Sequence, residues 1–125
     1  MKRLLAAIIL FTAVAGTALF ESIYVINVSE KTENELKKAL VQYHKGNVSQ
    51  TEESIKRATG IWEQSSEILN SMLIHNNTES IDEEITTVKN VLIYDKDTFV
   101  TECENTINDI EFIKNSMIPY IYNIL

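Results

Sequence analysis

The feature that most constrains this chain is an uncharged apolar run close to its N-terminus, from Leu4 to Phe20. As an α-helix, these seventeen residues rise about 25 Å at ~1.5 Å each, slightly less than the ~30 Å hydrocarbon core of a bilayer. Apolar residues resume from Ile23 to Val28, and with them the helix is long enough to cross. We therefore expect residues 1–28 to form a membrane anchor, with lipid contacts through residues 4–28.

The charges on either side of the run predict its orientation. Lys2 and Arg3 precede it, and the next cation, Lys31, comes only after Glu21. Loops rich in Lys and Arg stay on the cytoplasmic side of a membrane. The pattern predicts a single-pass protein of the cell membrane, with a cytoplasmic N-terminus and an extracytoplasmic domain over residues 29–125.

A cleaved signal peptide is the alternative interpretation of the same segment. Its apolar region would be Leu4 to Phe11, followed by a small-residue cleavage motif at Ala13-Val14-Ala15 or at Gly16-Thr17-Ala18. The apolar run continues past both sites, which favours a retained anchor. Both interpretations export the rest of the chain.

Composition limits what the exported part can be. The chain has 125 residues and a net charge of −7, and the two cations before the run account for +2, so the remainder carries −9. Such a charge repels nucleic acid, and we expect no nucleic-acid partner. About a hundred residues can bury one small core. The single cysteine, Cys103, excludes an internal disulfide, and three Gly with one Pro are too few for a turn-rich β-sandwich.

Apolar residues recur every three or four positions after residue 29, which predicts four amphipathic helices. The first continues the anchor as one long rod and ends at Gly46-Asn47. Capping-box patterns predict that the second helix opens at Ser49 and the third at Ser80. The turn chemistry of Asn76-Asn77-Thr78 predicts that the second helix stops near His75.

The fourth helix is expected to have Asp97 as its N-cap, and Pro119 should end or kink it. The apolar faces of the four helices define a predicted core, with two pairs of alternatives on the second helix and one on the fourth. Its members are Leu36, Ala39, Leu40 and Tyr43; Ile55, Ala58, Ile61 or Trp62, Ser65, Ile68 or Leu69, Met72 and Leu73; Ile81, Ile85, Val88 and Leu92; and Phe99, Cys103, Ile107 or Thr106, Ile110, Ile113 and Met117.

Short loops between amphipathic helices favour antiparallel neighbours. The predicted fold is therefore all-α: an N-terminal transmembrane helix that continues into a small antiparallel four-helix bundle made of two αα-hairpins.

No residue pattern predicts catalysis, a metal or a cofactor. His44 and His75 stand at predicted helix ends, where the helix dipole favours them, and they lack the spacing of a metal motif. The sequence after Asp95 lacks the glycine and distal glutamate of a calcium loop. Cys103 lies on the apolar face and is expected to be a buried small hydrophobe. We expect a protein that is not an enzyme.

Two features could form a binding surface. Trp62 could stack on a ligand, although its place beside Ile61 favours the core. The apolar segment that follows Pro119 either folds back along the bundle, which is favoured, or docks on a partner or on the membrane surface. Its candidate partner residues are Tyr120, Ile121, Tyr122, Ile124 and Leu125.

The layout resembles a family of short bacterial proteins called domain of unknown function 4363. The similar features are the MKR-plus-apolar start, the Gly46-Asn47 turn, the WEQSSEILNSMLIH stretch, the SIDEEI stretch and the final Asn123-Ile124-Leu125. The resemblance implies a membrane-tethered helical domain, mostly of Gram-positive and often spore-forming bacteria. It implies no catalytic residues.

These observations favour a single-pass membrane protein with an acidic extracytoplasmic helical domain. We expect that domain to be a protein–protein interaction or accessory module of the cell envelope, bound to another membrane or envelope protein. The alternative is a cleaved, secreted helical domain that binds a ligand or cell-wall component near Trp62.

Overall fold

The structure, a computed structural model, describes the backbone of residues 1–72 and 75–124 and the side chains of residues 1–71 and 79–118. It contains four helices: α1 (Lys2–His44), α2 (Val48–Met72), α3 (His75–Tyr94) and α4 (Lys96–Ile124). Within those residues there is no β-strand. The predicted all-α class is confirmed.

Helix α1 is one unbroken helix of 43 residues, about 65 Å long at ~1.5 Å per residue. It passes through Glu21 without a break, and its last residue, His44, is followed by the predicted turn at Gly46-Asn47. Gly46 has φ +80°, a left-handed conformation that glycine adopts without steric cost. The Gly46 amide donates to the Tyr43 carbonyl at 3.0 Å, and the Asn47 amide donates to the Gln42 carbonyl at 2.9 Å. This Schellman pattern satisfies carbonyls that the helix end leaves free.

The two halves of α1 have different surroundings. The large apolar side chains from Leu4 to Phe20 are exposed, except for the partly buried Leu19, whereas Ser22, Val25 and Val28 are buried against the other helices. In the described part of the chain, α1 is the helix long and apolar enough to cross a membrane, and none of its most apolar 18-residue stretch is buried. A signal sequence would share these properties. Packing begins at Ser22, inside the segment predicted to contact lipid.

The helices form a bundle around one core. Helix α1 packs against α2 and α4, and α3 packs against the same two helices, so α3 lies diagonally opposite α1. Among the described side chains the predicted apolar faces are confirmed, with Trp62 and Leu69 in the core and Ile68 exposed. The predicted core residues Met72 and Leu73 lie outside the described side chains. Leu40, Tyr43, Ile61 and Met117 are partly buried at its edge. The buried core residues are Val25, Val28, Leu36, Ala39, Ile55, Ala58, Trp62, Leu69, Ile81, Ile85, Val88, Leu92, Phe99, Cys103, Ile107, Ile110 and Ile113.

The predicted boundary between α2 and α3 is wrong. Helix α2 ends at Met72, and α3 begins at His75 rather than at Ser80, so Asn76-Asn77-Thr78 belongs to a helical turn. The Ser80 hydroxyl lies within α3 and donates to Glu84 Oε1 at 3.2 Å. Short polar residues favour both turns and helix starts. Here Asn76-Asn77-Thr78 forms the first turn of α3 and not a loop before it.

Two other helix starts also differ from prediction, as does the C-terminal end of α4. Helix α2 starts one residue before Ser49, and the Thr51 amide and hydroxyl both donate to the Asn47 carbonyl. Helix α4 starts at Lys96, which places Asp97 in its first turn rather than at the cap, and it continues past Pro119 to Ile124. The Asp95 carbonyl accepts from the amide and hydroxyl of Thr98. In both cases the helix begins ahead of the predicted capping residue.

The packing of α1 predicts different effects for two neighbouring apolar residues. Val25 is 1% exposed and Ile23 is 52% exposed. Val25→Ala should reduce the free energy of unfolding by about 2 kcal/mol, because it leaves a cavity in the core. Ile23→Ala is the matched control and should have little effect. The measurement is thermal unfolding of the full chain in detergent, followed by the fluorescence of Trp62; equal effects would show that Val25 is not part of the core.

Candidate functional site

The first candidate surface is the exposed half of α1, whose polar groups are all satisfied within the helix itself. The Thr12 hydroxyl donates to the Ile8 carbonyl at 2.8 Å, and the Thr17 hydroxyl donates to the Ala13 carbonyl at 2.9 Å. A polar group with no hydrogen-bond partner costs several kcal/mol in hydrocarbon. These internal bonds let two threonines lie in an apolar medium, so this surface is chemically suited to lipid.

Outside that segment, a buried carboxylate joins α1 to α4. The side chain of Glu33 is 3% exposed, and Lys114 of α4 donates to its Oε2 at 3.2 Å. Lys37, one turn along α1, donates to Oε1 of the same carboxylate and lies 3.7 Å from Glu111 of α4. Burial raises the pKa of Glu33, but the hydrogen bonds from Lys37 and Lys114 outweigh burial and hold the pKa below its usual value of 4.5. Glu33 is therefore ionised at neutral pH.

The Glu33 pairs predict a stability effect with a defined pH dependence. Glu33→Gln should cost about 2 kcal/mol at neutral pH, since hydrogen bonds to a charged group are lost. Because the folded pKa lies below 4.5, the contribution of the carboxylate is present above pH 4.5 and disappears as the pH falls through the folded value. The variant should therefore lose less stability on acidification than the wild type.

The control for this substitution is Glu30→Gln, which changes an exposed carboxylate on the same helix. Both variants are unfolded with urea in detergent at several pH values. If Glu33→Gln follows the same pH curve as Glu30→Gln, the buried ion pairs do not stabilise the α1–α4 interface.

A second candidate surface is a groove between α2 and α3, close to the Gly46 turn. We call it the α2–α3 groove; its volume is about 430 Å³. Two carboxylates and two ammonium groups surround an apolar floor there. The lining residues are Ser49, Glu52, Glu53, Ile55, Lys56, Lys89, Leu92 and Ile93. Mixed charges around an apolar floor are typical of a protein-binding patch.

Four exposed apolar side chains lie at this end of the bundle. Ile93 is 59% exposed and Tyr94 is 84% exposed, and Val41 and Val48 are also exposed. The Tyr43 hydroxyl donates to the Lys96 carbonyl at 3.0 Å, which shows that the α1–α2 and α3–α4 turns lie at the same end. No sequence pattern described above predicts this surface. The apolar pair Ile93-Tyr94 does indicate it, because both residues lie outside the apolar stripe of α3.

A pair of carboxyl groups lies between α3 and α4. Burial, followed by the neighbouring carboxyl group of Asp109 and its charge, raises the pKa of Glu84 to about 7. Ser80 of α3 donates to Glu84 Oε1, and the charge of Glu102 on α4 raises the pKa further. Oε2 of Glu84 is buried and accepts no hydrogen bond. A proton shared with Asp109 would satisfy that oxygen.

This pair predicts that stability falls as the pH rises. Because the folded pKa of about 7 exceeds the usual 4.5, the stabilisation is complete below pH 4.5 and is lost as the pH passes through 7. Glu84→Gln keeps a hydrogen-bond donor at every pH and should abolish this loss. Glu83→Gln, at an exposed neighbour, should retain it. Unfolding midpoints measured from about pH 5 to 8 provide the test; parallel curves for the two variants would contradict it.

The residues singled out for chemistry do not come together as a reactive site. Cys103 is fully buried, its thiol lies 3.7 Å from the Leu36 carbonyl, and burial with the nearby charge of Glu104 raises its pKa to about 12. The thiol is therefore protonated at neutral pH and is a poor nucleophile. Its predicted role as a buried small hydrophobe is confirmed.

Trp62 is also a core residue. It is 1% exposed, and its indole Nε1 donates to Asp82 of α3. Its hydrogen bond links α2 to α3, and little of the ring is available to a ligand.

The two histidines lie at different ends of their helices, His44 in the last turn of α1 and His75 at the start of α3. His44 is exposed in the last turn of α1, as predicted, whereas His75 begins α3 instead of ending α2, so the helix-dipole explanation fails for it. Over residues 1–72 and 75–124, no group of three or more His, Cys, Asp or Glu residues could hold a metal. The side chains of the predicted partner surface, Tyr120 to Leu125, lie outside the described residues.

No protein-family model matches the chain, no curated protein matches its sequence, and no solved structure matches its fold.

Proposed function

We propose that this chain is a single-pass membrane protein that holds an acidic helical bundle against the outer surface of the membrane. The observation that carries the proposal is the division of α1: its first half exposes apolar side chains along an unbroken helix, and its second half supplies buried residues to the bundle. The packed half follows the exposed half without a break, and the helix runs through both predicted cleavage sites, which supports a retained anchor.

The charge distribution supports an extracytoplasmic bundle. Lys2 and Arg3 precede the apolar segment, and the residues after it carry the net negative charge. Under the positive-inside rule, the N-terminus stays in the cytoplasm. A bundle with a net charge of −9 would be repelled by anionic lipid headgroups, so it stands on the membrane through α1 rather than through basic patches.

Contacts between helices support the finer description of the bundle as antiparallel. Along α1, Tyr43 contacts Lys96, Leu36 contacts Cys103 and Glu33 contacts Lys114. The α4 number rises as the α1 number falls, as in antiparallel neighbours. The short connections after α1 and α3 support two αα-hairpins in the same way.

The proposed action is binding to another membrane or envelope protein through the α2–α3 groove and its rim. This surface combines exposed Ile93 and Tyr94 with charges of both signs, and aromatic residues are enriched where proteins bind each other. It lies at the end of α1 that is farther from the apolar segment, so a partner could reach it without entering the bilayer. The buried, protonated thiol of Cys103 supports a role that is not enzymatic.

The alternative function is a secreted domain that binds a small ligand or a cell-wall component. The burial of Trp62 weighs against a ligand pocket around that residue, and the α2–α3 groove would be the remaining site. The resemblance to domain of unknown function 4363 stays a prediction, and it agrees with the membrane-tethered proposal.

Photo-crosslinking in living cells tests the partner surface. A benzoylphenylalanine at Ile93 should give a discrete adduct with one protein, because this side chain lies on the rim of the groove. The matched control is the same probe at Asn108, an exposed position on α4, and it should give no such adduct. Identical adducts from both positions, or none from Ile93, would contradict the proposed surface.

A further inference from the structure

One end of the bundle lies near Phe20, the last residue of the exposed apolar segment of α1, and three contacts define that level. Arg57 of α2 lies 3.1 Å from Glu35 of α1. Fifteen residues separate Arg57 from Met72, the end of α2, and fifteen residues separate Glu35 from Phe20. At ~1.5 Å per residue along both helices, the end of α2 is level with Phe20.

Helix α4 reaches the same level. From the contact of Lys114 with Glu33, ten residues lead forward to Ile124 and ten lead back along α1 to Ile23. The contact of Cys103 with the Leu36 carbonyl gives a second estimate. Ile124 lies 21 residues after Cys103, and Ala15 lies 21 residues before Leu36, so this contact places Ile124 level with Ala15. The end of α4 therefore lies beside α1 between Ala15 and Ile23.

Exposure along α1 agrees with this register. Ala13 is exposed, whereas Ala15, Ala18 and Leu19 are partly buried. Since alanine side chains are of equal size, the difference between Ala13 and Ala15 reflects their surroundings. Partial burial along α1 therefore begins near Ala15, within the span where the register places the end of α4.

The sequence of this part of α4 differs from the rest of the helix. Residues 118–124, which we call the α4 end, contain no charged side chain and include two tyrosines. Earlier in the helix, Glu104, Asp109, Glu111 and Lys114 are charged. Tyrosine is enriched at membrane–water interfaces, where its ring is apolar and its hydroxyl meets water. Ile118, the first residue of the α4 end, is 38% exposed.

We infer that the α4 end lies in the headgroup region of the bilayer beside the outer turns of α1, so that the chain contacts lipid at two places. The inference rests on the proposed membrane anchor. If the helix enters the hydrocarbon core at Leu4, residues 4–20 cover about 25 Å of the ~30 Å core. A few more residues are needed to cross it, so the outer boundary of the hydrocarbon falls close to Ile23. That level falls within the span where the register places the backbone of the α4 end.

The second contact fixes the bundle relative to the membrane. A single helix can tilt and rotate about its own axis in a bilayer, because tilt and rotation are set by packing and by interfacial anchors. Two interfacial aromatic residues on α4 would oppose rotation of a bundle that is already rigidly joined to α1. The α2–α3 groove would then be held at a constant height above the membrane.

Depth-dependent quenching tests this inference. The full chain is labelled with bimane at Tyr122→Cys and reconstituted into phosphatidylcholine vesicles, with and without lipids that carry a nitroxide near the headgroup. Tyr94→Cys is the matched control, since it is the same substitution at the other end of the bundle. Phe11→Cys reports on the anchor. The wild type, with its buried Cys103, gives the background, and Asn123→Cys provides a second position in case Tyr122→Cys does not fold.

We expect nitroxide lipids to remove most of the fluorescence at position 122 and to leave position 94 unchanged. Quenching at position 11 without quenching at 122 or 123 would overturn the inference and leave the anchor in place. No quenching at any position would overturn the anchor, and the inference would fail with it.

Discussion

The structure depends on the continuity of α1, which passes from an exposed apolar half into the core without a break in its backbone hydrogen bonds. A helix satisfies its own amide and carbonyl groups, and for this reason it is one of the few structures that can cross lipid. The same helix supplies Val25, Leu36 and Ala39 to the bundle. Any movement of the exposed half is therefore transmitted to the other helices, because no flexible linker separates the two parts.

The bundle is held to this helix by apolar packing and by a few specific polar contacts. Glu33 is the central polar contact: it is buried and shared by a lysine of its own helix and by Lys114 of α4. Removing one partner of such a pair leaves an uncompensated buried charge, so the pair opposes sliding of α4 along α1. Trp62 has a corresponding role between α2 and α3, through its bond to Asp82. The carboxyl pair of Glu84 and Asp109 lies at the α3–α4 interface, and the raised pKa of Glu84 predicts that this interface is sensitive to pH.

Much of the fold could be predicted from the sequence, because the apolar stripes alone identify most of the core. Burial repeats with the helical period, and residues such as Ile81, Val88 and Phe99 occupy it as expected. Helix starts were predicted less well, since Asn, Ser and Thr favour both turns and first helical turns; the start of α3 at His75 is the clearest example. The α2–α3 groove and the Glu84 pair depend on which residues two helices bring together, and a stripe on one helix contains no information about its neighbour.

The central claim is that the apolar half of α1 remains part of the mature protein, and the intact mass of that protein tests it most directly. Membrane and medium fractions of cells that express the full chain are separated, and the mass of the protein is measured in each. The account predicts the full-length mass in the membrane fraction. A mass in the medium that corresponds to a chain beginning at Gly16 or Leu19 would contradict it, because the exposed apolar helix would then be a signal peptide that is removed.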